Sequence, residues 1–258
     1  MVFRALIFGF FMATRWYLPS DTLATPISPT PSTDWETTSI LTRTTAPTVR
    51  RNSVVTEVSF TDANAADRDI LFKQFVGQEL TAGQTITGAQ AIKGQIRGRQ
   101  KTLTQNMKLT LGIRIIASDG TTVRKIVLAV TRDDIELAVS SVNRQFTATS
   151  VAGNYTTVAG DYPVFEVGTG GDPDVGTDHD TFMTFNDDNA SDLPENDTAT
   201  AELNPWIELA DTLTFVSGFN PTTTVGSQNA AKRGGIGIRQ MRRRDSGLYV
   251  PAYLKMAA

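Results

Sequence analysis

The side chains able to do chemistry fall in two acidic runs and one basic one. Gly170 to Asp180 (GGDPDVGTDHD) carries Asp172, Asp174, Asp178 and Asp180, and Asn186 to Asp197 (NDDNASDLPEND) carries a second group. Oxygen ligands clustered on loops are what Ca²⁺ requires, but neither run has the spacing of an EF-hand loop. The plainer reading is a pair of solvated loops at one end of a β domain. Glycoside hydrolysis needs an acid and a base or nucleophile at fixed separation in a cleft, and carboxylates in Gly- and Asn-rich loops are poorly placed for it. The single histidine, His179, reads as an exposed loop residue, since one imidazole builds no multi-His metal centre. There is no cysteine, which excludes disulfides and thiolate metal sites and leaves the compartment unreadable from redox chemistry. The chain has no GxSxG, no Walker loop, no GxGxxG after a strand and no HExxH. The expectation is a protein that is not an enzyme and uses neither cofactor nor metal.

The basic run lies near the C-terminus. Lys232, Arg233, Arg239, Arg242, Arg243, Arg244 and Lys255 stand against Asp245 alone, in a chain whose net charge is −3. A compact Arg triple binds phosphates in a salt-dependent way, but nucleic-acid modules interleave aromatics with the basic residues across a folded face. A clamp on an acidic protein surface is the preferred reading; a solvated tail and nucleic acid remain open. Residues 1–11 (MVFRALIFGFF) are too short for a membrane span and lack a small-residue cleavage site. Since Met12-Ala13 reads as a translation start, they are taken as an upstream extension, with a docking plug or a targeting signal as alternatives; no membrane partner is expected.

These groups need a scaffold. The length of 258 residues suits one large β-sandwich or barrel with tails, or two small domains. Residues 13–53 carry proline at 19, 26, 29, 31 and 47, and proline forbids helix and central strand. Trp16, Tyr17, Leu18 and Trp35 are costly to leave in water, so this segment predicts an extended arm anchored on another surface, in cis or on a neighbouring subunit. Met107 to Val130 predicts a hairpin. Met107, Leu109, Leu111, Ile113 and Ile115 alternate with Lys108, Thr110 and Arg114, as in a half-exposed strand. Asp119-Gly120 supplies a tight turn, and the apolar return strand around Ile126 to Ala129 predicts burial on both faces. Further strands are expected at 54–60, 84–99, 144–149, 162–167 (an edge strand, given Pro163), 181–185 and 206–215. Residues 69–76 fit a short strand or a helical turn, and 133–142 a short helix capped by Asp133. Eight or nine short strands without strand–helix alternation indicate an all-β jelly-roll-like β-sandwich or an antiparallel barrel.

Several stretches resemble a family of tailed-bacteriophage virion structural proteins. They are Ala13 to Ser20 (ATRWYLPS) with Trp35-Glu36, Asp69 to Val76 (DILFKQFV), Leu80 to Ile86 with Gly88, Ser118 to Arg124 (SDGTTVR), Asp192 to Asn196 (DLPEN) and Asn204 to Glu208 (NPWIE). The resemblance spans roughly residues 13–215 and its motifs carry no known chemistry. It implies a non-enzymatic virion component. The resulting expectation is a jelly-roll-like domain at 54–215 between an extended arm at 1–53 and a basic arm at 216–258. It would be a capsid decoration or cement protein, homo-oligomeric, whose arms bridge other virion proteins. The docking residues would be Trp16, Tyr17, Leu18 and Trp35 on one arm and Arg242, Arg243, Arg244, Tyr249 and Tyr253 on the other. A neck, collar or tail fibre component binding host glycans on Trp206 or Tyr162 is the second expectation, and a carbohydrate-active enzyme the third.

Overall fold

The computed structural model describes residues 13–50, 56–62, 66–171, 179–186, 191–200, 204–216, 241–243 and 249–251. The chain divides into two compact units, residues 1–217 and 218–258.

The first unit is a β-sandwich. Its five-stranded sheet has the order β2 (Thr37–Thr45), β4 (Arg68–Val76), β11 (Asp161–Gly171), β7 (Lys108–Ala117), β8 (Val123–Glu136), with only β2–β4 parallel. The six-stranded sheet is built on β6 (Ala91–Gln100). One side of β6 pairs along its length with β9 (Val142–Thr149); the other pairs in sequence with β13 (Trp206–Leu209) and β12 (His179–Phe185). β1 (Thr14–Tyr17) extends the sheet beyond β13, and β3 (Thr56–Asp62) extends it beyond β12. β5 (Thr85–Ile86) and β10 (Tyr155–Thr156) form a small ladder at one end. Most successive strands change sheet, so nearly every connection crosses the sandwich, in the manner of a jelly roll. One turn of 3-10 helix, Leu103–Gln105, is the helical structure among the described residues.

The core lies between the sheets. Ile70, Phe72, Phe75, Leu109, Leu111, Ile113, Phe165 and Val167 face Ile92, Ile96, Phe146, Met183, Phe185, Ile207 and Leu209. Phe60 stacks on Phe72 with ring centroids 3.9 Å apart, and Trp16 tilts against Phe165 at 5.0 Å.

The hairpin is present, with the exposure of its two strands the reverse of the expectation. β7, expected to be half wet, is buried along almost its whole length, including Thr110 and Arg114. β8, expected to be buried on both faces, is the edge of its sheet and exposes Val123, Ile126 and Ile135. The reason is a layer the alternation could not show: residues 19–36 lie across the outer face of β4, β11 and β7. The turn is a four-residue loop closed by Ala117 N to Thr122 O at 2.9 Å. Only Gly120 takes positive φ (+75°), while the Asp119 carboxylate accepts from Thr121 N, Thr122 N and the Thr122 hydroxyl. These bonds hold its pKa well below the usual carboxylate range.

Two further assignments change. The helix expected at 133–142 is instead the continuation of β8 to Glu136 and the start of β9 at Val142. The strand containing Pro163 is central. Its missing donor costs nothing, because the Pro163 carbonyl accepts from Gly77 N at 2.7 Å, pointing off the end of β4 where the ladder has already stopped at Val76.

The boundary expected at 53/54 is absent. β1 is the outer strand of one sheet and β2 the outer strand of the other, so residues 13–50 are part of the sandwich. Trp16 is fully buried, and truncation of such a residue typically costs about 3–5 kcal/mol. Trp16→Ala is therefore expected to lower the urea midpoint by a corresponding amount. Deletion of residues 13–50 is expected to abolish the cooperative thermal transition followed by circular dichroism; a truncated chain that still melts sigmoidally would show this segment to be a mere appendage.

Candidate interaction site

The outer face of the five-stranded sheet is closed by a polar clamp. Glu166 on β11 is fully buried, and its carboxylate accepts four different donors: the Arg114 guanidinium, Trp35 Nε1 (2.9 Å), Gln74 Nε2 (2.8 Å) and Ser32 N (3.1 Å). Arg114 in turn donates to Thr30 O at 2.7 Å, and Arg43 links Gln74 Oε1 (2.9 Å) to Pro29 O (3.0 Å). Three strands of the sheet, β4, β7 and β11, and the crossing segment thus share one charge pair. The Trp35 ring needs a flat bed. A Cβ on Gly168 would stand 2.9 Å from Trp35 Cζ3 and 1.9 Å from Ile70 O, so only glycine fits there. Ile27 packs beside this clamp on Val76, Ile116 and Val164, and Thr30 N donates to Gly120 O of the hairpin turn at 2.9 Å.

Where the chain passes from β1 to the outer face, Lys73 holds it. Lys73 Nζ donates to Pro19 O (3.1 Å) and Ser20 O (3.3 Å) and lies about 5 Å from the centroids of Phe75 and Phe185. Burial pushes its ammonium down to about 8, with Asp21 opposing the shift.

A third cluster joins the ends of the unit. The Arg15 guanidinium lies 3.6 Å from the Trp206 ring centroid and bonds Glu208 Oε2 and Asp192 Oδ2, each at 2.8 Å. Tyr17 OH donates to the same Asp192 oxygen at 3.1 Å, and Trp206 Nε1 donates to Leu193 O at 2.8 Å.

One open feature lies on the side of the sandwich where edge strands β8 and β9 face each other. It is a groove of about 500 Å³ lined by Leu128, Thr131, Arg132, Asp133, Asp134, Ile135, Gln145, Thr147, Ala148, Thr149 and Asp197. Arg132 is held by Asp67 and Asp69, and Arg144 by Asp133 and Asp197.

The expected docking residues separate into two groups. Trp16, Tyr17, Leu18 and Trp35 are all buried within this chain, so anchoring on a neighbour is corrected to anchoring in cis. Pairing of β1 with β13 buries the residues around Trp16, and the Glu166 clamp on β11 buries Trp35. Trp206 is covered by Arg15 and Tyr162 is half-buried with its hydroxyl on Glu79, so neither offers the flat exposed platform proposed for a glycan. In the second unit, β14 (Met241–Arg243) pairs antiparallel with β15 (Tyr249–Pro251), which places Arg242, Arg243 and Tyr249 on a two-stranded ladder. Arg244 and Tyr253 lie outside the described residues, as do 1–12 and Asp172, Asp174 and Asp178. His179 opens β12, and its side chain is likewise outside them. Asp180, expected on a solvated loop, is instead buried in β12 and ion-paired with Lys101 (2.6 Å), and Glu195 is ion-paired with Lys93 (2.8 Å). Among the described residues no group of three His, Cys, Asp or Glu side chains could hold a metal, and no helix is long and apolar enough to cross a membrane. The Glu166 clamp was not anticipated; the sole signal was a lone Glu within the apolar run YPVFEV.

No family model and no curated protein matches this chain. Among solved structures, a CocE/NonD family hydrolase from Staphylococcus aureus is similar over 77% of this chain and 36% of its own, with 8% identity and a TM-score of 0.38. The infectious bursal disease virus Gt strain structure covers 80% of this chain and 54% of its own, with 15% identity and a TM-score of 0.22. The VP2 subviral particle of that virus covers 72% and 51%, with 18% identity and a TM-score of 0.18. The chain thus spans from about a third to about half of these chains. Likenesses this distant carry no functional argument.

Two outcomes follow from the clamp. Glu166→Gln removes the partner of a buried guanidinium, a change that typically costs about 3–5 kcal/mol. Urea unfolding should show that loss, and limited proteolysis should show cleavage within residues 19–36; an arm as protected as in the wild type would contradict the clamp. For Lys73 the folded value near 8 lies below the ordinary 10.5. The unfolded chain therefore keeps the proton through this window after the folded chain has lost it, and stability rises with pH. Relative to Lys73→Met, the wild type should gain up to about 3 kcal/mol between pH 7 and 10.5; a flat difference would show that Lys73 titrates normally.

Proposed function

We propose that this chain is a non-enzymatic structural component of a virion, with the sandwich as a rigid body and the basic C-terminal segment as its contact with acidic neighbouring proteins. One observation carries the structural part. The stretches that resemble the phage virion family are those that lock this fold. Arg15, Trp16 and Tyr17 meet Asp192, Leu193, Trp206 and Glu208. Lys73 and Gln74 hold the crossing segment, and the 118–124 turn receives it. Residues spent on holding a scaffold leave none of these motifs for chemistry. The resemblance supplies the virion location. Capsid decoration, or cement, is the finer role that suits an acidic body carrying a basic tether, since many tethered copies on a lattice gain avidity. With Trp206 and Tyr162 engaged, the glycan-binding reading has no aromatic platform among the residues first named for it.

The test is mass spectrometry of gradient-purified particles complemented with tagged protein. Peptides of the wild-type chain should appear at a fixed ratio to the major capsid protein. R242E/R243E/R244E should fold normally and fall at least tenfold in incorporation. Absence of the wild-type chain from particles would remove the virion reading; undiminished incorporation of the triple variant would remove the basic clamp.

A further inference from the structure

The groove between β8 and β9 is bordered by main chain that has no partner among the described residues. Asn143 N donates to Thr198 O at 2.6 Å and Gln145 N to Asp197 Oδ1 at 2.7 Å, both pointing away from β6. The two-residue period of a strand carries the same outward direction to Thr147 and Thr149. Two residues further on, Val151 N donates to Val127 O at 2.8 Å and closes that end. Between these closures the N–H and C=O groups of Thr147 and Thr149 face the groove. An open strand edge of this kind is a template for one more strand.

The charge around it is acidic in balance. Asp67, Asp69, Asp133, Asp134 and Asp197 stand on or behind the groove wall against Arg132 and Arg144. Asp134 is exposed, and no described residue forms an ion pair with it. The complementary charge is on the chain itself. Residues 232–258 hold seven basic side chains against one acidic, while residues 1–231 hold seventeen against twenty-six. Part of that basic segment, Met241–Arg243, is already a strand.

We infer that the groove receives the basic C-terminal segment of a second copy, with residues around Arg242 and Arg243 adding as a strand beside Thr147 and Thr149. The tail of one copy enters the side of the next, so the contact is heterologous and builds a ring or an open row rather than a two-fold dimer. Main-chain bonds to the Thr147–Thr149 edge supply the register, and the arginines against the aspartates supply the attraction and its salt dependence. The inference rests on the clamp role proposed for the basic segment but not on a virion location.

The absence of cysteine permits a direct test on the full chain. Thr147→Cys and Arg243→Cys are placed in separately tagged copies, mixed at low salt and oxidised, with exposed Leu103→Cys replacing Thr147→Cys as control. A mixed disulfide at least tenfold above the control supports the inference; a yield equal to the control overturns it. In sedimentation experiments self-association should weaken at least tenfold in R242E/R243E/R244E, in Asp134→Lys and at 0.5 M salt. Thr147→Pro should do the same. It removes only an outward N–H and leaves the β6–β9 ladder bonds intact, so its folding, checked by thermal melting, separates loss of docking from loss of structure. A wild-type chain that stays monomeric at high concentration overturns the inference, as does association insensitive to all of these changes. Self-association by a chain that is absent from particles would leave this contact standing and remove the virion reading; incorporation without self-association would do the reverse.

Discussion

The fold depends on one buried carboxylate. Glu166 sits in the middle strand of the five-stranded sheet, on the face turned away from the core. A buried charge is tolerable only when it is paired and its remaining lone pairs are filled. Arg114, Gln74, Trp35 and Ser32 do this together, and two of the four come from the crossing segment. The sheet could not bury Glu166 without that segment, and the segment, rich in proline, is tied down by this carboxylate together with the packing of Ile27 and the bonds to Lys73, Arg43 and Gly120.

That dependence also explains the distribution of exposure. A sandwich with two wet outer faces would show clean alternation in every strand. Here β4, β11 and β7 are dry on both sides because a third layer covers one of them, while β8 lies beyond the reach of that layer and stays exposed. The Arg15–Trp206 stack on the six-stranded sheet and Lys73 on β4 serve the same end, pinning the chain as it leaves one sheet for the outer face of the other.

The strand inventory was largely legible in the sequence, because period-two alternation and Asp-Gly or proline punctuation are local signals. The all-β class and the central hairpin follow from them directly. The partners of those strands were not legible. Lys108, Thr110 and Arg114 look solvated in a one-strand reading; Arg114 is dry because Glu166, 52 residues away, faces it. Pro163 marks an edge only when the neighbouring strand is assumed to continue; here that strand stops one residue earlier. The aromatics of residues 16–35 signal the need for a surface, but whether that surface lies in the same chain depends on β13, nearly two hundred residues downstream of Trp16, and on β11 for Trp35. The groove between β8 and β9 had no signal, since it exists only where two edges of different sheets come side by side.

The pairing of β1 with β13 has a consequence for how the protein is made. Thr14 donates through its hydroxyl to the carbonyl of Asp211, 197 residues away in sequence. At synthesis rates of about 5–20 residues per second, β1 waits for roughly 10–40 s before its strand partner among the described residues is made. During that interval Trp16 and Tyr17 have no completed core to enter. Contacts of this span also make the folding step itself slow, because the loop must close before any pairing rewards it. The nascent chain therefore presents Trp16 and Tyr17 well before it has made the strand that covers them.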